Sequence, residues 1–266
     1  MNPTMLCLDF DGTILRYEDP PEHIHPDIVA ALNTLGDAGI EWMANSGRTL
    51  EGQYEILQHT ARTYGLRHWP SAILHSECFI HRRDNGRYIS LDAWNTKAQA
   101  DMLSVQQVLN AQCKETMNRL IRTYAPMEAQ FLDVATVFHM AGDEMRRQSF
   151  IADLQGLLAC VPNAQLIQNG EWISIIHANV GKGHLLRAYM DHRKISPDHV
   201  LAVGDHGNDI SMLDGKVTPH VACPGNAYGP TQDAVRRAGG YVAKAHGPAG
   251  SLEAFLHYFP ELLGST

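Results

Sequence analysis

Basic residues are in short supply in this 266-residue chain: 21 Lys and Arg stand against 29 Asp and Glu, a formal net charge of −8. That balance argues against a general nucleic-acid surface or an anionic membrane surface as a binding partner. An anionic ligand would need a local remedy, either a metal ion or a few placed cations. The five cysteines (Cys7, Cys78, Cys113, Cys160 and Cys223) are scattered and never form a Cys-x-x-Cys pair. This gives no thiolate metal framework and suits a reducing compartment. No apolar run approaches ~20 residues, so no membrane span is expected. The first apolar run is too short for a signal peptide and has no basic segment ahead of it, which makes the cytoplasm the expected location. Internal repeats and low-complexity segments are absent, and no glycine stands at the Walker A offset before Gly181-Lys182.

What is present is ordinary for a soluble globular protein, with 44% hydrophobic and 19% charged residues. The length suits one large domain or two modest ones. Met5 to Leu8 reads as a short buried strand that runs into Asp9-Phe10-Asp11-Gly12-Thr13. Alternate residues share a face of a strand, so Asp9 and Asp11 could enter one pocket where the strand frays. A helix over Pro26–Ala38, a strand over Gly39–Ala44, a helix from Thr49 to about Arg62 and a strand over Ser71–Leu74 complete a β-α-β-α-β rhythm. That rhythm predicts a parallel sheet with right-handed crossovers.

The pattern then changes. A hairpin is expected around Asp84-Asn85-Gly86, followed by a long helical region from Trp94 to about Arg122. A strand-like run over Gln130–Met140, a helix over Asp143–Ala159 and paired strands to His177 follow. Helix Gly181–Asp191 and strand His199–Val203 restore the parallel rhythm. The expectation is an α/β protein, a Rossmann-like parallel-sheet core over residues 1–83 and 175–266, interrupted by an α+β cap over 84–174.

Four polar clusters fall at the ends of core elements: Asp9/Asp11, Ser46-Gly47-Arg48, Lys182, and Gly204-Asp205-His206-Gly207-Asn208-Asp209. Each has a plain reading by itself: an acidic turn, a Ser-Gly turn, a solvated lysine, an acidic helix cap. Yet a hydroxyl beside helix N-terminal N–H groups suits an anion. A lysine is disfavoured at the positive end of a helix dipole unless a partner holds it there. Clustered carboxylate oxygens suit Mg²⁺.

In this order the four clusters resemble the haloacid-dehalogenase-like (HAD) phosphohydrolase superfamily, and the insert after Ser46 resembles its C2-capped members. Gly181-Lys182-Gly183 and Asn208-Asp209-Ile210-Ser211-Met212 look like the Cof-type and sucrose-phosphatase-like branch. Two departures are visible: His206 replaces a common glycine, and His75-Ser76-Glu77 replaces Asn-Gly. Neither is expected to touch a catalytic role. The resemblance implies that Asp9 is a nucleophile forming an aspartyl phosphate and that Asp11 is its general acid and base. It further implies that Ser46, Gly47, Lys182 and Asn208 bind phosphate. Mg²⁺ would be held by Asp9, the Asp11 backbone carbonyl and Asp205, with Asn208 and Asp209 steadying the site and Arg48 supporting it. The implied activity is Mg²⁺-dependent hydrolysis of a small phosphorylated metabolite, a sugar phosphate first, with the cap choosing the substrate. A phosphomutase using the same intermediate and a catalytically silent binding or regulatory protein are the alternatives. A dehalogenase has no use for Asp11.

Other features have simpler explanations. His23-Ile24-His25 precedes Pro26 at a helix start, so a loop is expected there and not a zinc site. Arg82-Arg83 and Arg146-Arg147 read as solvated faces, and Trp94 and Trp172 as core.

Overall fold

The computed structural model describes residues 3–16, 21–132 and 135–264. The first half of the core runs β1 (Met5–Leu8), a small ribbon of β2 (Leu15–Arg16) and β3 (His23–Ile24), α1 (Pro26–Asp37), β4 (Glu41–Asn45), α2 (Leu50–Tyr64) and β5 (Ala72–His75). The hairpin β6 (Phe79–Asp84) and β7 (Arg87–Ser90) follows. An inserted stretch holds α3 (Asp92–Val108), α4 (Lys114–Thr123), β8 (Glu128–Phe131), β9 (Thr136–His139), α5 (Glu144–Leu158), β10 (Ala164–Asn169) and β11 (Trp172–His177). The core then resumes with α6 (Lys182–Arg193), β12 (Val200–Val203), α7 (Ile210–Leu213), β13 (His220–Cys223), α8 (Gly229–Arg237), β14 (Tyr241–Val242), α9 (Gly247–Tyr258) and α10 (Pro260–Leu263).

Eight strands form one sheet in the order β14-β13-β12-β1-β4-β5-β6-β7. From β14 to β5 every neighbour is parallel, whereas β6 and β7 add on antiparallel. β1 is central and wholly buried, as its apolar Met-Leu-Cys-Leu sequence requires of a strand covered on both faces. Leu6 and Leu8 face one apolar cluster with α1 and α9, and Met5 and Cys7 face a second with α6. The alternation of the strand thus builds two cores, one on each side of the sheet.

The chain divides into two compact units, residues 1–94 with 182–266 and residues 95–181. These boundaries lie later than the expected 83/84 and 174/175. At the first boundary the reason is the hairpin: β6 pairs with β5 from Ala72↔Arg82 to His75↔Phe79, so it extends the core sheet, and at the second β11 stays paired with β10 as far as His177. The hairpin's turn is Asn85-Gly86, both left-handed, as a tight two-residue hairpin demands. The second unit is a four-stranded antiparallel sheet, β10-β11-β9-β8, with helices and an apolar cluster of its own, including Phe138, Phe150 and Ile175. It is α+β. The long helix expected over Trp94–Arg122 is broken by a π-helical turn at Leu109–Cys113. Of the strand expected over Gln130–Met140, residues 133 and 134 lie outside the described residues. No helix of the described residues is long and apolar enough to cross a membrane.

Candidate active site

The polar clusters lie where the parallel strands end, the place where open α/β sheets bind ligands. β1 hands over directly to Asp9, whose N–H still donates to the Val203 carbonyl of β12 (3.0 Å). Gly12 follows with φ +70°, and a Cβ there would stand 2.2 Å from Asp205 Oδ2. Only glycine allows this turn and this approach together. Asp205 begins the loop after β12, and Thr13 Oγ1 donates to its Oδ1 (3.3 Å).

Lys182 opens α6 and is wholly buried. Asn45, at the end of β4, anchors that turn by donating to the Lys182 carbonyl (3.1 Å), and Ser211 Oγ receives the Gly183 N–H (3.0 Å). The ammonium stands 2.7 Å from Asp9 Oδ1 and 2.6 Å from Asp209 Oδ1. Burial works against its charge, yet Asp209, Asp9 and Glu77 hold it ionised, well above the usual lysine range. Asp209 Oδ2 accepts from the N–H groups of Asp205 and His206 (both 2.9 Å), so Asp209 shapes the loop and is fully engaged. His206 itself stacks on Tyr228 with ring centroids 5.1 Å apart.

Burial and the neighbouring Asp209 push the Asp9 carboxyl well above the ordinary range, against the pull of Lys182. The same two causes push Asp205 up to about 7. The described residues therefore put more negative charge here than Lys182 balances. Asp9 Oδ2 is buried with no partner, and Asp9, Asp205 and Asp209 each offer an oxygen within 4.8 Å of the others. Because Asp209 is engaged, Asp9 and Asp205 are the carboxylates left to hold a cation. A hard, oxygen-seeking ion such as Mg²⁺ fits this donor set.

Asp11 and Arg48 form a second constellation. Arg48 grips both Asp11 oxygens (2.8 and 2.6 Å) and reaches Glu22 Oε2 with its remaining nitrogen (2.5 Å). Asp11 thus stands outside the Asp9/Asp205/Asp209 cluster, and its carboxylate is occupied. Ser46 is buried, and its Oγ accepts the Arg48 N–H (3.3 Å). Asn208 donates to Glu77 Oε1 (2.8 Å), and the same oxygen would lie 3.3 Å from a Cβ on Gly47.

Glu77 is the residue that sequence reasoning set aside. It is buried, it faces Lys182, and its carboxyl is raised by burial and by Asp209. The departure His75-Ser76-Glu77 therefore does reach the site, contrary to expectation. The available signal was a carboxylate in place of a small turn residue at a strand end. A hollow of about 530 Å³, lined by residues such as Trp42, Arg67, Trp69 and Arg83, involves none of these groups, so cavity size does not locate the chemistry.

Residues 112–217, which include Lys182, Asp205, Asn208 and Asp209, match the family described as haloacid dehalogenase-like hydrolase. Among solved structures, the chain is similar to the sucrose-phosphatase of Synechocystis sp. PCC6803 solved with sucrose and phosphate, at 16% identity, TM-score 0.67, and 97% and 98% of the two chains covered. It is similar to a putative HAD/COF-like hydrolase of Plasmodium vivax at 14% identity, TM-score 0.69, and 98% and 96% coverage. A HAD-superfamily phosphatase of Bacteroides thetaiotaomicron matches at 18% identity, TM-score 0.61, and 97% and 96% coverage. At these identities the likeness is one of fold. Over 95 residues the chain is 36% identical to a tRNA modification GTPase, MnmE, of Acaryochloris marina. That stretch covers 35% of this chain and 21% of that protein, so the chain spans about a fifth of the curated relative it matches.

Proposed function

We propose that this chain, a haloacid-dehalogenase-like protein by its fold and its strand-end motifs, hydrolyses a small phosphomonoester through an aspartyl phosphate. One observation carries the reading. Asp9 is buried with one oxygen on Lys182 and the other unpartnered, at the end of the central strand of a parallel sheet. A carboxylate so held is oriented for attack and has few competing partners.

Asp9 Oδ2 would attack phosphorus, displacing the substrate's alcohol oxygen and leaving a phosphoryl group on Asp9. Lys182, Ser46, the Gly47 N–H and the Asn208 amide would hold the phosphoryl oxygens as charge builds on them. Asp11 would give a proton to the departing alkoxide and later take one from the water that hydrolyses the acyl phosphate. Both Asp11 oxygens are on Arg48, so this step requires Arg48 to release one of them. An anionic substrate competing for the guanidinium would do that, coupling proton transfer to occupancy. Asp9, Asp205 and the Asp11 backbone carbonyl would hold Mg²⁺, which would offset the charge shared by these carboxylates and the phosphate. The raised proton affinities of Asp9 and Asp205 support this reading, because they mark a charge deficit that a divalent cation relieves.

The sucrose-phosphatase neighbour was solved with sucrose and phosphate, and a sugar phosphate is accordingly the first substrate class to test. The decisive measurement is phosphate release from p-nitrophenyl phosphate and from a panel of sugar phosphates, with Mg²⁺ and with chelator. Release that survives excess chelator would overturn the metal assignment. No release from any ester would overturn the hydrolase reading.

A further inference from the structure

Glu77 lies in the three-residue turn between β5 and β6, where Ser76 and Glu77 both take left-handed backbone angles (φ 53° and 56°). Such non-glycine residues are strained and persist only where their surroundings hold them. Here the turn carries a glutamate into the interior at 6% exposure. Its Oε1 takes one of the two Asn208 amide protons, while Oε2 and Asn208 Oδ1 are both buried without partners. The second Asn208 N–H is left available for a ligand oxygen. A glutamate is an expensive way to orient an asparagine beside a phosphate cradle, because its charge repels the ligand.

We propose that Glu77 is a positioning residue that binds a proton whenever an anion occupies the site, fixing Asn208 and removing its own charge together. This rests on the phosphate-binding reading above and names a residue that reading did not include. The groups facing Glu77 set the direction. Burial and Asp209 on the loop after β12 favour the acid, whereas Lys182 on α6, through its ammonium and its backbone N–H, and the Asn208 amide favour the carboxylate. Within its own turn, His75 is kept neutral, its value lowered to about 4 by burial and by His81, and is hydrogen-bonded to His81. An arriving dianion draws on Lys182 and adds its own field, and both effects shift Glu77 toward the acid. The protonated Oε2 then has a hydroxyl to give to a ligand oxygen, which resolves its missing partner.

The test uses inorganic sulfate, which keeps two charges throughout the neutral range, with the Mg²⁺-saturated full chain. Sulfate affinity is measured by calorimetry from pH 6 to 8 in buffers of different ionisation enthalpy, for wild type and Glu77→Gln. The glutamine is isosteric and can still hold Asn208 but cannot titrate. Wild type should take up more protons on binding than the variant. Its affinity should also fall more steeply with rising pH, by roughly tenfold per unit while Glu77 titrates. Glu77→Ala, which can neither hold Asn208 nor titrate, should raise KM for an aryl phosphate more than it lowers kcat, and Glu77→Gln should recover part of that KM. Parallel pH profiles and equal proton uptake in wild type and Glu77→Gln would overturn the proposal. A wild type that binds sulfate with this uptake yet hydrolyses no ester would sink the hydrolase reading and leave this one standing.

Discussion

Replacing Lys182 by methionine removes the cation from between Asp9 and Asp209 in a site closed to solvent. At an effective dielectric of about 20, each contact near 2.7 Å is worth roughly 6 kcal/mol of Coulomb attraction. Most of that is offset by taking the charges out of water, so the pair itself adds little net stability. Deleting one partner is different, because the desolvation of the survivors is no longer compensated. Such deletions cost ~3–5 kcal/mol, a large part of a typical stability of ~5–15 kcal/mol. For a chain of this size, that is a fall in Tm of roughly 6–20 °C. The deficit should also depend on pH. Asp9 and Glu77 are raised even with Lys182 present, and without it the folded state holds their protons more tightly still. Raised carboxyls stabilise the folded form at low pH and lose that contribution as pH climbs through their folded values. The variant should therefore recover between pH 8 and pH 5, by about 1.4 kcal/mol per pH unit for each proton retained. Urea unfolding at both pH values is the assay. Adding Asp209→Asn should restore part of the loss by removing one uncompensated charge. A deficit under about 1 kcal/mol, or one of equal size at pH 5 and 8, would refute this account.

Asp9→Asn should form no phosphoenzyme with labelled acetyl phosphate, whereas Asp11→Asn should be phosphorylated and hold the label, because water then lacks its base. With alkyl phosphates, Asp11→Asn should lose about 10²- to 10⁴-fold in rate, and intact mass after rapid quench separates the two variants. Asp205→Ala should need far more Mg²⁺ for turnover, and full activity at ordinary concentrations would remove Asp205 from the ligand set. Because a proton competes with the metal on Asp205, whose value is about 7, the apparent Mg²⁺ affinity should weaken as pH drops below 7. Added Mg²⁺ should move that acid limb to lower pH, and a limb indifferent to Mg²⁺ would count against this coupling.

The residues that the fold brings together are those whose signal is short in range: Asp9, Lys182, Asp205 and Asp209 each sit within a few residues of an element boundary that periodicity and glycines reveal. What the sequence could not disclose depends on partners far along the chain. The hold of Arg48 on Asp11 and Glu22 joins residues 26 and 37 positions apart. Glu77 meets Asn208 across 131 positions. The hairpin at Asn85-Gly86 was legible as a hairpin, but nothing local to it says which sheet it joins. It pairs with β5, and the boundary of the inserted unit moves accordingly.

The central place of β1 has a consequence for how the protein is made. β1 pairs on one side with β4, which soon follows it, and on the other with β12, with Met5 opposite Val200. At ~5–20 residues per second, a ribosome takes roughly 10–40 s to travel between those two residues. For that interval the Met-Leu-Cys-Leu strand has an unpaired, wholly apolar edge, the kind that templates aggregation. Asp9 hangs on this edge through its N–H to Val203. The seat of Asp9 is therefore closed only once β12 has been made, and its formation on refolding would clock the arrival of β12.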